Sequence, residues 1–263
     1  MDQIAPLRLA EKWDNVGLIL EAFPTARSQN KHVLLTIDLT PSVFNEALVR
    51  DVSVVVSYHP PIFRGLKALT LSNSLQVSLL RAAQAGISVY SPHTSVDAVW
   101  SGVNDWLADG ILGRPTIPEQ AVASETVRAI QTSETEGTVG RIVTLPTPVD
   151  FGEIVRRVKS HLKLSTLQVG RPELLRPVQT VAICAGSGGT VLDGVDADVY
   201  FTGEMSHHEV LAAVAAGRYV VLCGHTNTER GYLPVLAQQL RHYLDNDAVV
   251  TVSDTDTHPL SLE

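Results

Sequence analysis

Two stretches of this 263-residue chain repeat one order of features, and that repetition limits the possible folds more than any single motif does. In the first, Ala85-Gly86 precedes an apolar strand pattern and then His93-Thr94-Ser95-Val96-Asp97. In the second, Ala216-Gly217 precedes a strand pattern and then His225-Thr226-Asn227-Thr228-Glu229. Both read AG, strand, H-T-x-x-acid. Upstream of each lies a further apolar strand that runs into polar chemistry. SVVVSY reaches His59, and DVYFTG reaches Glu204, with His207 and His208 just beyond. This matched order predicts an internal duplication, which places equivalent loops on the same face of each copy. The copies differ in spacing, with 34 residues from His59 to His93 against 21 from Glu204 to His225. The first copy is therefore expected to carry an extra excursion. Its place is PPIFRGLKALTLSN, where a Pro pair and scattered polar residues break helical and strand periods alike.

Between these landmarks the chain alternates strand and helix patterns, which points to α/β layers with a sheet at least partly parallel. HVLLTID (32–38) reads as a strand, and Thr40 with Pro41 as the cap and first residue of a helix through Arg50. SVVVSY (53–58) reads as a buried strand, a helix from about 74 ends at Gly86, and ISVYS (87–91) follows as a strand. In the second half, Asp150 with Glu153 and Ser206 with Glu209 form capping-box patterns for FGEIVRRVKSHL and HHEVLAAVAA. TVGRIVTL opens that half, strands follow at 179–185, 198–202 and YVVLC, and a helix from about 228 to 243 and AVVTVS complete it. The polar, Pro-containing stretch 113–136 is the linker candidate. The fold expected is α/β: two related α/β lobes from an internal duplication, residues 1–120 and 121–263, with mixed sheets covered by helices.

Composition excludes several functions. The 28 acidic and 20 basic residues give a net charge of −8, without the basic footprint of a nucleic-acid binder. With 44% apolar residues and 18% charged ones there is ample material for a core, so disorder is excluded. No apolar run approaches the ~18 residues of a spanning helix. MDQIAPLRLAEKWDN lacks the basic start and apolar run of a secretory signal. The two cysteines, Cys184 and Cys223, have no zinc spacing and fit a reducing compartment. The cytoplasm is the expected location, with nucleus and mitochondrion open.

Every ligand-type candidate follows a strand: His59, His93, Asp97, Glu204, His225 and Glu229. In open α/β sheets, the loops beyond the C-terminal strand ends build the site. A histidine and a carboxylate four residues apart face the same way on a helical turn, and both ligate first-row divalent metals. Two such pairs suggest two ions sharing one cleft between the lobes. Imidazole and carboxylate without thiolate favour Zn, Fe or Mn. His208 is preferred to His207 as a neighbour of the site, while His161, His242 and His258 read as solvated. AGSGG (185–189) matches no phosphate-loop pattern and reads as a tight strand-to-helix connection, with pocket lining as the alternative. Trp13-Asp14-Asn15 with Gly17 reads as a turn whose Trp packs inside.

AEKWDNVGLILE, SYHPPIF, SPHTSVDA, DVYFTGEMSHHE and GHTNTERG, in this order and over nearly the whole chain, resemble the Nif-three family (NGG-one interacting factor three), also labelled GTP cyclohydrolase I type 2. The spellings SYHPPIF and TGEMSHH resemble its eukaryotic branch. The resemblance implies two related lobes around a dinuclear metal site, in a ring-shaped homohexamer, with His59, Asp97, His225 and Glu229 as metal positions. Many similar proteins have a histidine doublet where this chain has Tyr58-His59, so Tyr58 replaces a ligand; a phenol near its ordinary pKa of ~10 is a poorer one. Similar proteins also carry a longer helix before the segment resembling IAPLRLAEKWDN, a difference that a trimmed start or missing exon would explain.

Two classes of function follow. One is a metal-dependent hydrolase with Glu204 or His93 as general base, acting on a small nucleotide-like substrate; the family label implies GTP. The other is a protein without turnover, either a metal-delivery protein or an interaction partner of transcription proteins, as the family name implies.

Overall fold

The computed structural model describes residues 1–115, 124–130 and 137–260. In chain order its strands are β1 (Gly17–Leu20), β2 (His32–Thr36), β3 (Val54–Ser57), β4 (Ser88–Ser91), β5 (Val127–Ala129), β6 (Arg141–Val149), β7 (Gln168–Gly170), β8 (Val178–Ser187), β9 (Val199–Glu204), β10 (Tyr219–Leu222) and β11 (Val249–Val252). The helices are α1 (Pro41–Val49), α2 (Ser74–Ala85), α3 (Thr94–Ala98), α4 (Val103–Leu112), α5 (Phe151–Leu162), α6 (Gly189–Leu192), α7 (His207–Ala215) and α8 (Leu233–Tyr243). No helix among the described residues is long and apolar enough to cross a membrane.

The chain forms two units, Met1–Val96 with Leu233–Glu263, and Asp97–Tyr232. This differs from a division at 120/121. Residues 233–263 return to the first unit because β11 pairs in parallel with β2, Val249 opposite His32 and Val250 opposite Val33. Residues 97–115 belong to the second unit, where α4 packs on α5, β6 and β8.

The first unit holds a five-stranded sheet in the order β1-β4-β3-β2-β11. β4, β3, β2 and β11 run parallel and β1 lies antiparallel against β4. Helix α1 starts where the Thr40 hydroxyl accepts the Val43 amide at 3.3 Å and Pro41 supplies a preset φ. Helix α2 is capped by the Asn73 side chain and ends on Gly86 at φ 74, a conformation that favours glycine. Both helices bury Val43, Phe44, Ala47, Leu79 and Ala82 against Leu34, Val55 and Val89 of the sheet. Each such large side chain contributes about 1.5–3 kcal/mol when fully buried.

The second unit holds a six-stranded sheet, β5-β6-β8-β9-β10-β7, in which β8, β9 and β10 are parallel and β7 is antiparallel to β10. The Ser206/Glu209 capping box starts α7 as expected. Its Ala213, with Leu192 of α6, packs against Ala182, Tyr200 and Val220. At Asp150 the side chain caps α5 by accepting the Gly152 amide. The linker candidate 113–136 contains β5, paired with β6; its residues 116–123 and 131–136 lie outside the described residues. The helix expected from about 228 begins at Leu233, after short 3-10 turns at His225–Thr228 and Arg230–Tyr232.

The duplication is visible in topology. β1-β4-β3-β2 and β7-β10-β9-β8 have the same spatial order, the same directions and the same succession along the chain. The extra excursion also lies where the spacing put it. No strand or helix occurs between Ser57 and Ser74, whereas β9 reaches α7 across Met205 and Ser206 alone.

Candidate metal centre

In the second unit the parallel strand ends converge on one turn. Pairing continues past β10, with the Cys223 amide donating to Thr202 O at 3.1 Å and Gly224 to Gly203 O at 2.8 Å. The chain then turns so that His225 Nε2 lies 3.3 Å from Glu229 Oε1. On the other side of the ring, Nδ1 lies 2.8 Å from Glu204 Oε1. A carboxylate that accepts from Nδ1 fixes the tautomer and makes Nε2 the ligand atom. Glu204, expected as a base, is thus engaged with His225.

AGSGG is a tight connection from β8 to α6, and it also walls this site. A Cβ on Gly186, at φ +63, would stand 2.8 Å from Glu229 Oε1 and 2.9 Å from His225 Nε2. The Gly186 amide donates to Thr228 Oγ1 at 2.8 Å, and that hydroxyl donates to His225 O at 2.7 Å. Asp97 is fixed from the same strand. Asn104 donates to Asp97 O and accepts from the Ala185 amide, each at 2.9 Å. Burial pushes the Cys184 thiol up, and the charges of Asp97 and Glu229 push it further. The charges of both carboxylates therefore act on one buried atom of this unit.

In the first unit, pairing likewise runs past β3. Tyr58 N donates to Thr36 O at 2.8 Å and His59 N to Ile37 O at 3.0 Å. His59 Nδ1 lies 3.0 Å from Asp38 Oδ1, again a carboxylate on the neighbouring strand end. His93 has φ 31, uncommon outside glycine, and its Nδ1 lies 2.7 Å from Asp14 Oδ1. The second Asp14 oxygen accepts from Thr94 N at 3.1 Å and Thr94 Oγ1 at 2.5 Å. Burial alone would raise the Asp14 carboxyl; the hydrogen bonds from His93 and Thr94 outweigh it and hold the group below its ordinary value. Tyr58 is buried, its ring edge-on to those of His59 and His93.

Two sequence readings change, those of Trp13 and His161. Trp13 is not core but 61% exposed. Its neighbour Asp14, read from the sequence only as part of a turn, holds His93 and Thr94. His161 is not solvated: its ring lies 4.4 Å from Trp106, and burial lowers its pKa. His208 is exposed in the first turn of α7, with its ring against His207.

Residues 1–259 match the family described as Duf34/NIF3 (NGG1p interacting factor 3). The Protein NIF3 homolog of Schizosaccharomyces pombe is 50% identical over 260 residues, covering 97% of this chain and 92% of that one. NGG1-interacting factor 3 of Saccharomyces cerevisiae is 39% identical, covering 98% and 92%. The crystal structure of Staphylococcus aureus hypothetical protein SA1388 has the same fold, with a TM-score of 0.81 at 24% identity, covering 100% of this chain and 96% of that one.

Proposed function

This chain belongs to the Duf34/NIF3 family, and from that premise we propose a metal-dependent hydrolase acting on a small nucleotide-like substrate. In this reading His59, Asp97, His225 and Glu229 hold two divalent ions, Zn, Fe or Mn. The observation that carries it is the His225–Glu229 pair, 3.3 Å apart against Gly186 with the other ring nitrogen held by Glu204. An imidazole and carboxylate set fits such ions. The buried thiols do not compete: burial pushes Cys223 up to about 12.

When bound, such ions lower the pKa of a coordinated water toward ~7. The chain's own residues do the rest. Glu204 and Asp38 orient His225 and His59. His93 donates Nδ1–H to Asp14, so its Nε2 accepts a proton and passes it on, the role of a general base held by a carboxylate. The test is metal-loaded protein with a nucleotide panel headed by GTP. Turnover lost in Asp97→Ala is expected, and turnover that survives removal of the metal contradicts the mechanism.

A second reading has one observation in its favour: the Saccharomyces relative is named for interaction with NGG1. In it the chain is a metal-holding interaction partner in transcription, and bound metal without turnover would select it. The homohexamer belongs to either reading and is checked by light scattering.

A further inference from the structure

We propose that Trp13 and Phe63 form the platform on which a planar ring of the substrate stacks, beside the His93–Asp14 pair; this rests on the reading that His93 serves the reaction. Trp13 is 61% exposed and Phe63 49% exposed. Large apolar side chains grouped at the surface mark a contact site more often than they serve the fold. These two meet edge to face at 5.8 Å, and each ring centre lies 6.0 Å from that of His93.

The platform is anchored from below. Asn15 Nδ2 donates to Ile62 O at 2.5 Å, tying the two loops together next to each aromatic residue. Asp14, between Trp13 and Asn15, has a fully buried side chain and holds His93 and Thr94. Trp13 therefore projects outward from a fixed backbone while its neighbour points inward.

The loop that supplies Phe63 is dispensable for the architecture, since the second copy joins the equivalent strand and helix through two residues, Met205 and Ser206. Its charge is also unlike the rest. Residues 52–96 contain no Asp or Glu in a chain of net charge −8, and Arg64 and Lys67 stand exposed just beyond Phe63. A ring carrying an anionic group suits this surface. A nucleotide has both features, nicotinate has ring and charge without the sugar, and ribose 5-phosphate has only the charge.

The test is calorimetric titration of the metal-loaded full chain with GMP, nicotinate and ribose 5-phosphate. Stacking of one base on an aromatic side chain is worth about tenfold or more in affinity. Trp13→Ala and Phe63→Ala should each weaken GMP or nicotinate by about that factor and leave ribose 5-phosphate unchanged, and Trp13→Phe should restore most of the loss. Equal weakening of ribose 5-phosphate, unchanged ring binding in Trp13→Ala, a change of oligomeric state alone, or no binding of either ring compound to the wild type overturns the platform. Turnover of GTP measured on the same metal-loaded samples reports separately on the hydrolase reading.

Discussion

The two copies of the fold use one device at their strand ends and then diverge. Each sets a histidine after a parallel strand and holds its Nδ1 with a carboxylate from the neighbouring strand, Asp38 for His59 and Glu204 for His225. The second copy then places a buried carboxylate, Glu229, against Nε2 of the same imidazole. The first copy instead supplies His93, held by Asp14, under an exposed pair of aromatic rings. Strand order survives duplication because the sheet fixes it, whereas the carboxylate contact recurs one strand over, since His59 follows β3 and His225 follows β10, the counterpart of β4. The loops after the strands are free to differ, and there one copy sets Glu229 beside its histidine while the other sets His93 and Asp14 under exposed rings.

The sharpest way to separate the two units is to break what holds only one. Arg141 is fully buried and donates to Asp105 and to the carbonyls of Ala98, Val99, Thr138 and Gly140. Burial pushes the Asp105 carboxyl up, and without Arg141 its charge would stand uncompensated. Arg141→Ala should cost about 3–5 kcal/mol. Hydrogen exchange should show the loss in β6 and β8 before β2 and β3.

The first unit has a milder, pH-sensitive tie. Burial would raise the Glu46 carboxyl, but hydrogen bonds from Ser253, Asp254 and Thr255 outweigh it and hold it at about 2 against an ordinary 4.5. A depressed carboxyl contributes fully above its ordinary value and loses that contribution as pH falls toward the folded one. Glu46→Gln should cost about 1–3 kcal/mol at neutral pH and converge with wild type as pH drops toward 2. An unchanged gap in Tm across that range would contradict it.

A smaller change in stability, with a larger one in binding, is expected at Gly186. Alanine there costs about 1–2 kcal/mol for its positive φ. Its methyl would also crowd Glu229 and His225. Elemental analysis should show metal depletion while first-unit exchange rates stay as in wild type.

Much of this was legible locally. Capping residues Thr40 and Ser206 and the glycine stop at Gly86 act within a few residues of their own position, and His59, Glu204, His225 and Glu229 each stand just after an apolar run. The excursion after β3 followed from spacing alone. What escaped depends on distant chain. Asp14 meets His93 across 79 residues, and the strand β11 joins β2 from the far end of the sequence. Trp13 escaped for a different reason: hydrophobicity predicts burial, and this ring stands exposed. His161, polar in its sequence surroundings, is covered by Trp106 of another helix.

The central claim is that the His225–Glu229 pair ligates metal. Ions per chain, counted by elemental analysis in wild type, His225→Ala and Glu229→Ala, test it most directly. The account predicts that each variant stays folded by circular dichroism and binds fewer ions than wild type. Wild-type metal content in both folded variants would contradict it.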